Sequence, residues 1–173
     1  MNCPVTGGRY GATSAVRHVD VAALVAAAFL RVNSDCTVLP FDHRVRKVSL
    51  HAGGTILSNA ERLAALGGGR TNCSAPLDWL LAKRRAVDLV VFVSDNQSWV
   101  DARDGGQGTA MMGRWTGLKA RNPQARLVCI DIAPYGTAQG AARKDVLRIG
   151  GFSDAVFDQI AAFQNFIIMP MTF

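Results

Sequence analysis

Short apolar runs predict the buried strands around which the chain folds. Leu89–Ser94 is apolar except at its last residue, and residues 126–132 form a second such run. Short apolar runs bounded by polar residues are typical of strands buried on both faces, as in a parallel sheet covered by helices. Residues 145–149 are a shorter third candidate. We therefore expect a mainly parallel sheet with Leu89–Ser94 as its central, doubly buried strand.

The segments around and between these runs have the periodicity of amphipathic helices. An apolar stripe predicts a helix over 15–32, and similar patterns predict helices over 55–66, 74–85, 109–120 and 153–163. Segments 35–41 and 44–50 favour two strands joined by a turn at Asp42 and His43, which are common turn residues. The alternation predicts a doubly wound α/β domain whose parallel sheet carries an antiparallel edge hairpin.

Length, charge and the distribution of apolar residues limit the classes of protein to which the chain can belong. The 173 residues suit one domain, and their formal charge of +6 permits an anionic partner such as RNA. The basic residues are scattered, which favours a solvated basic surface over a nucleic-acid face. Apolar runs fall short of the ~20 residues of a membrane span, and the start does not resemble a secretory signal. We expect a cytoplasmic protein without a membrane partner.

Polar residues gather at one predicted edge of the sheet. Asp95 directly follows Leu89–Ser94, and ligands of open α/β sheets bind beyond the carboxyl ends of the strands. A glycine-rich loop at residues 67–69 places Thr71 just ahead of a helix, near the same edge. Asp95 is either a ligand group or a cap for the next segment. Trp99, in the following polar loop, either contacts a partner or packs over the sheet edge.

The segments GGGRTNCSAPL, from Gly67, and DLVVFVSDNQSW, from Asp88, resemble the later part of a von Willebrand factor A domain. They are similar, more narrowly, to the A domain of TROVE-type Ro ribonucleoprotein autoantigens and their bacterial relatives. IGGFSDAVFDQI, from Ile149, extends the resemblance. It implies a partial Rossmann-like domain over 1–163, a divergent apolar tail over 164–173, and a non-enzymatic role in small non-coding RNA particles.

The resemblance also implies a magnesium site. The family builds a metal-ion-dependent adhesion site from an Asp-x-Ser-x-Ser loop after the first strand, a threonine after a glycine-rich turn and an aspartate after the fourth strand. Thr71 and Asp95 match the last two, whereas the first strand and its loop have no counterpart. Because magnesium requires near-octahedral oxygen coordination, we expect an incomplete site with weak or no binding. A protein ligand at the Thr71 and Asp95 edge is a further expectation.

Three alternatives stay open at this point. The chain is a Ro-like A domain, a degenerate fragment or interaction module that binds neither metal nor RNA, or, least favoured, an enzyme with Cys73 as nucleophile near a helix N-terminus. The missing first strand would leave one edge of Leu89–Ser94 bare. The 35–50 hairpin could close onto that edge, or another chain or residues 166–168 could add a strand. We expect the isolated chain to be unstable or to self-associate.

Overall fold

The computed structural model describes residues 15–67, 72–95, 110–133 and 143–165. These ranges contain five helices and three strands. In chain order they are α1 (His18–Val32), α2 (Ile56–Ala64), α3 (Ala75–Ala82), β1 (Leu89–Ser94), α4 (Ala110–Lys119), β2 (Arg126–Asp131), β3 (Val146–Gly150) and α5 (Ala155–Asn165). The mixed α/β class predicted from the pattern is confirmed.

The three strands form one parallel sheet in the order β1-β2-β3. Leu89 lies opposite Arg126 and Ser94 opposite Asp131, so β1 and β2 are in register over their whole length. All six residues of β2 are buried, whereas most of β1 is only half-buried. The expectation that Leu89–Ser94 is the central strand is therefore wrong for the described residues. β2 is central, because it alone is paired on both sides there.

Helices cover both faces of the sheet. Phe92, Leu127 and Cys129 point to one face, where they pack against α3 and α4 around the fully buried Trp115. Val128 and Ile130 point to the other face. They meet α1 and α5 there, because successive strand residues alternate between faces. The apolar runs are thus strands between two helical layers, as predicted, although only β2 is fully buried.

The predicted edge hairpin is only partly formed. Residues 35–50 reverse direction near residue 43, but the reversal has a single antiparallel bridge, Phe41 with Val45, and no regular strand. Asp42 explains the tight turn: its carboxylate accepts from the Arg44 N–H at 3.1 Å and the Arg46 guanidinium at 2.7 Å. Local side-chain bonds of this kind compete with a ladder. In the described part of the chain, neither arm of the hairpin pairs with β1.

α2 packs against α1 through small residues. Ala23 and Ala27 of α1 meet Ala60 and Leu63 of α2 in a separate apolar cluster. Among the described residues, no helix is long and apolar enough to cross a membrane.

Candidate functional site

Asp95 lies at the carboxyl edge of the sheet, where the pattern placed it. It follows β1 directly and is only 3% exposed, beside Ser94, which is 2% exposed. Asp131 ends β2 at the same edge, since Ser94 and Asp131 are partners in the strand register. Two carboxylates and one hydroxyl therefore lie at the ends of neighbouring strands.

The N-terminus of α1 meets this edge through His18. Burial lowers the pKa of His18, and the negative charge of Asp95 opposes that shift. Arg17 and Asp20 fix the start of the helix: the Asp20 carboxylate accepts from the Arg17 backbone N–H at 2.8 Å and from its guanidinium at 2.7 Å. The Asp20 side chain thus satisfies the Arg17 backbone N–H at the start of the helix, as the acidic residue of a capping box does.

Asp131 has a carboxyl group whose pKa is shifted by burial. Burial raises the pKa of Asp131 to about 6, although the positive charge of Arg148 works in the opposite direction. Its side chain thus loses its charge in mildly acidic solution. A carboxyl group that protonates so readily holds a cation poorly below neutral pH.

Two of the predicted site residues, Thr71 and Trp99, lie outside the described residues. The neighbour of Thr71 is described: the Asn72 backbone N–H donates to the Asp42 carbonyl at 2.8 Å, and the Asn72 side chain accepts from the Ser74 N–H at 3.0 Å. The end of the glycine-rich loop is thus tied to the hairpin turn. The roles of Thr71 and Trp99 stay predictions.

The metal-ligand side chains in the described residues do not by themselves form a magnesium site. Across the described ranges, no three His, Cys, Asp or Glu side chains converge as metal ligands. At the carboxyl edge the charged oxygens come from Asp95 and Asp131. Magnesium held by few carboxylates keeps most of its waters, and the expected weak binding at this edge stays a prediction.

Cys73 is completely buried in the apolar cluster beneath α3 and α4. A substrate cannot reach its sulfur in this arrangement, which removes the geometric basis for Cys73 as a nucleophile. Cys129, in the same cluster, behaves as a small apolar residue, as expected. Burial raises the pKa of its thiol to about 12.

The opposite edge carries a feature that the sequence reading missed. Basic side chains lie at the amino ends of the strands, where α3 and α4 end. We call this set the basic rim, and its members are Lys83, Arg84, Arg85, Lys119, Arg121, Arg126, Arg143 and Lys144. Lys83 to Arg85 are exposed, and the Arg121 guanidinium donates to the Leu81 carbonyl at 3.0 Å. A shallow pocket of about 250 Å³ lies within the basic rim.

A sequence signal for the basic rim did exist. Its members stand at the ends of predicted helices and just before predicted strands, and helix C-termini attract cations because their dipoles are negative there. These positions are scattered along the chain and converge only when the layers form.

Comparison with known proteins decides the family. A family model described as the Ro60 vWA domain matches residues 1–164. The chain belongs to the Ro60 vWA domain family. This membership confirms the resemblance carried by the glycine-rich loop and by the segment through Asp95.

This Ro60-type vWA domain matches one sequence and one solved structure from Deinococcus radiodurans. The chain is 25% identical over 165 residues to the RNA-binding protein RO60, and the match covers 94% of the chain but 29% of that protein. The crystal structure of the RO (RSR) protein superposes with a TM-score of 0.71 at 20% identity, over 95% of this chain and 32% of the other. The chain thus spans less than a third of either relative, and the structural likeness supports the fold.

Proposed function

We propose that this chain acts as the non-enzymatic A-type domain of a Ro-like RNA-binding protein. The observation that carries the proposal is the family match over residues 1–164. The related protein of D. radiodurans is described as RNA-binding, and the basic rim gives this chain a surface with the matching charge. RNA phosphates are the chemical group such a surface would contact.

The exposed run Lys83–Arg85 is the part of the basic rim best placed for phosphates. Several other members of the rim are already engaged within the protein. Arg143 donates to both carboxylate oxygens of Asp145, at 2.9 and 3.1 Å, and Lys119 donates to the Ala125 carbonyl at 3.0 Å. Contacts from the exposed run to the phosphate backbone would be weak, salt-sensitive and independent of sequence.

Charge reversal within the basic rim tests this role. The variant Lys83→Glu/Arg84→Glu/Arg85→Glu is compared with a control of equal charge change, Arg31→Glu/Arg44→Glu/Lys47→Glu, whose three sites are exposed on α1 and the hairpin. Fluorescence anisotropy follows binding to structured and unstructured RNAs over a salt series. We expect the slope of log K against log salt to fall by about 2 to 3 in the first variant and by less in the control. Equal losses in the two variants would contradict a role for this surface.

The carboxyl edge supports a second role. Asp95 and Asp131, with Thr71 and Trp99 as further candidates, form a polar edge suited to a protein ligand in which magnesium contributes weakly. The supporting observations are the strand register, which places Ser94 beside Asp131 at the ends of β1 and β2, and the charge interaction of His18 with Asp95. Pull-down with Asp95→Ala and Trp99→Ala tests this edge, with Lys83→Glu as the control on the opposite edge. Retention of the same proteins by all three variants would argue against it.

A further inference from the structure

The edge of β1 that faces away from β2 opens into a cleft of about 930 Å³. α1 lines one side of the cleft through Val25 and Phe29, and Pro76 and Leu80 line the other. The extended segment 35–42 lies across from β1. The cleft is therefore a narrow space between the α1 layer and the α3 layer, and the free edge of β1 borders it along its length.

Every second residue of β1 directs its backbone N–H and C=O groups into this cleft. The Arg126 N–H donates to the Asp88 carbonyl and the Ile132 N–H to the Ser94 carbonyl, both at 2.9 Å. Even-numbered residues of β1 thus face β2, because successive strand residues direct their polar groups to opposite edges. The intervening residues direct their N–H and C=O groups toward the cleft: Leu89, Val91 and Val93. A row of strand donors and acceptors along an apolar slot is a template for one more strand.

We propose that residues 166–169, the segment Phe-Ile-Ile-Met that follows α5, bind in this cleft as a fourth strand parallel to β1. The strand would pair with the backbone of Leu89, Val91 and Val93. It would lie between β1 and the extended segment 35–42, and its two faces would pack against the α1 side and the α3 side.

The chemistry and length of this segment match the cleft. A strand covered on both faces needs apolar residues at successive positions rather than at alternate ones, and Phe166 to Met169 are apolar without interruption. Strand and layer spacings allow roughly 150 Å³ per residue, so the cleft has room for about six residues. Pro170 has no N–H to donate and would end the pairing.

The end of α5 lies at the end of the cleft where the proposed strand must begin. Gln164 lines the cleft. Phe163 belongs to the same apolar cluster as Leu89, and the Arg126 guanidinium lies over its ring at 5.0 Å. Leu89 and Arg126 are the first residues of β1 and β2. A chain leaving α5 there enters beside the amino end of β1, which is where a parallel strand must begin.

The handedness of the connection is also satisfied. The crossover from β1 through α4 to β2 uses the face that contains α3 and α4. The proposed crossover from β3 through α5 runs in the opposite direction across the sheet and uses the opposite face. Reversing both the direction and the face preserves the hand, so the proposed crossover has the same hand as the crossover from β1 through α4 to β2. Parallel connections of this kind are right-handed as a rule.

The shape of the cleft favours a single segment over the edge of a second sheet. α1 and segment 35–42 enclose the side opposite β1, and the apolar residues Val38 and Leu39 face inward there. Two strands on either side of an inserted strand stand about 10 Å apart. Because α1 and segment 35–42 border the cleft opposite β1, the cleft accommodates one inserted strand more readily than a second copy that brings its own sheet and helices.

Amide hydrogen exchange in the intact chain tests the proposal residue by residue. We expect the amides of Leu89, Val91 and Val93 to be protected as well as those of Val90 and Phe92, which face β2. Ile167→Asp places a charge in the proposed strand and should speed exchange at the first three amides by about 100-fold, while the other two keep their protection. Thr172→Asp, beyond Pro170, is the matched control and should leave all five unchanged.

Several outcomes would overturn the proposal. Rapid exchange of Leu89, Val91 and Val93 in the unmodified chain would show that no strand occupies the cleft. Protection that is unchanged by Ile167→Asp would mean that another segment fills it. Protection that falls on dilution, together with a dimer in light scattering, would assign the strand to a second copy.

Discussion

The ring of Phe41 lies 5.0 Å from the ring of Phe92 and is tilted by 51° to it. This contact joins the tip of the hairpin to β1 on the α3 and α4 face of the sheet. The backbones of the two segments do not pair, although both border the same cleft. A side-chain contact thus sets the position of the hairpin on one face and leaves space beside β1 for a strand.

Replacing Phe41 with Ala should destabilise the chain by about 2 kcal/mol. The substitution removes a tilted ring pair and part of an apolar cluster, but Phe41 is only half-buried, so the cost falls below that of a core phenylalanine. Urea unfolding measures the change. Phe157→Ala, a more exposed ring that stands 5.8 Å from Phe29, is the comparison and should cost less. An equal or smaller loss for Phe41→Ala would show that the hairpin tip does not depend on Phe92.

Asn59 should be as important to stability as an apolar core residue. Its buried side chain accepts from the His51 N–H at 3.1 Å and donates to the His51 carbonyl at 2.7 Å, which holds the end of the hairpin against α2. Asn59→Ala leaves both backbone groups without these bonds and should cost about 2 to 3 kcal/mol. Glu61→Ala, at an exposed position of the same helix, is the control. Similar unfolding free energies for the two variants would contradict this role.

Asp131 gives stability a specific pH dependence. Its pKa is about 6 in the folded chain and about 4 when unfolded, so the folded state favours the protonated form. The contribution of Asp131 to stability is therefore greatest below about pH 4 and is lost as pH rises to about 6. Asp131→Asn should stabilise the chain by about 1 to 2 kcal/mol at pH 7 and change little near pH 4.

Urea unfolding at pH 4, 5.5 and 7 measures this difference, with Glu61→Gln on the exposed face of α2 as the control. A stability difference between Asp131→Asn and the parent chain that is independent of pH would argue against the shifted pKa.

Much of the fold could be predicted from local pattern. The apolar runs at 89–94, 126–132 and 145–149 correspond to β1, β2 and β3 within one or two residues, and each helix was found. The order of the strands was harder to obtain, because an apolar run records burial by helices on both faces and not the number of neighbouring strands. That is why Leu89–Ser94 was expected to be central. The hairpin was overestimated because Asp42 satisfies the turn with its own side chain.

Only part of the candidate site could be predicted, because the rest depends on contacts between distant segments. The position of Asp95 follows from one strand and its end, so the sequence was sufficient. The proximity of His18 to Asp95 depends on the packing of α1, and the position of Asp131 beside Ser94 depends on strand register. No local pattern encodes either of them. Asn59 was missed because a polar residue inside an amphipathic helix gives no sign that it binds the backbone of another segment.

Magnesium binding should be millimolar or weaker. Asp95 and Asp131 supply the charged oxygens at the described part of the carboxyl edge, and the second of them is readily protonated. Few carboxylates leave the ion largely hydrated, and the net charge of +6 further disfavours a cation. Calorimetric titration of the intact chain at pH 7.5 measures the affinity, with Asp95→Asn as the test variant and the exposed Asp154→Asn as its control. A micromolar dissociation constant that Asp95→Asn abolishes and Asp154→Asn preserves would mean that additional oxygen ligands complete the site around Asp95.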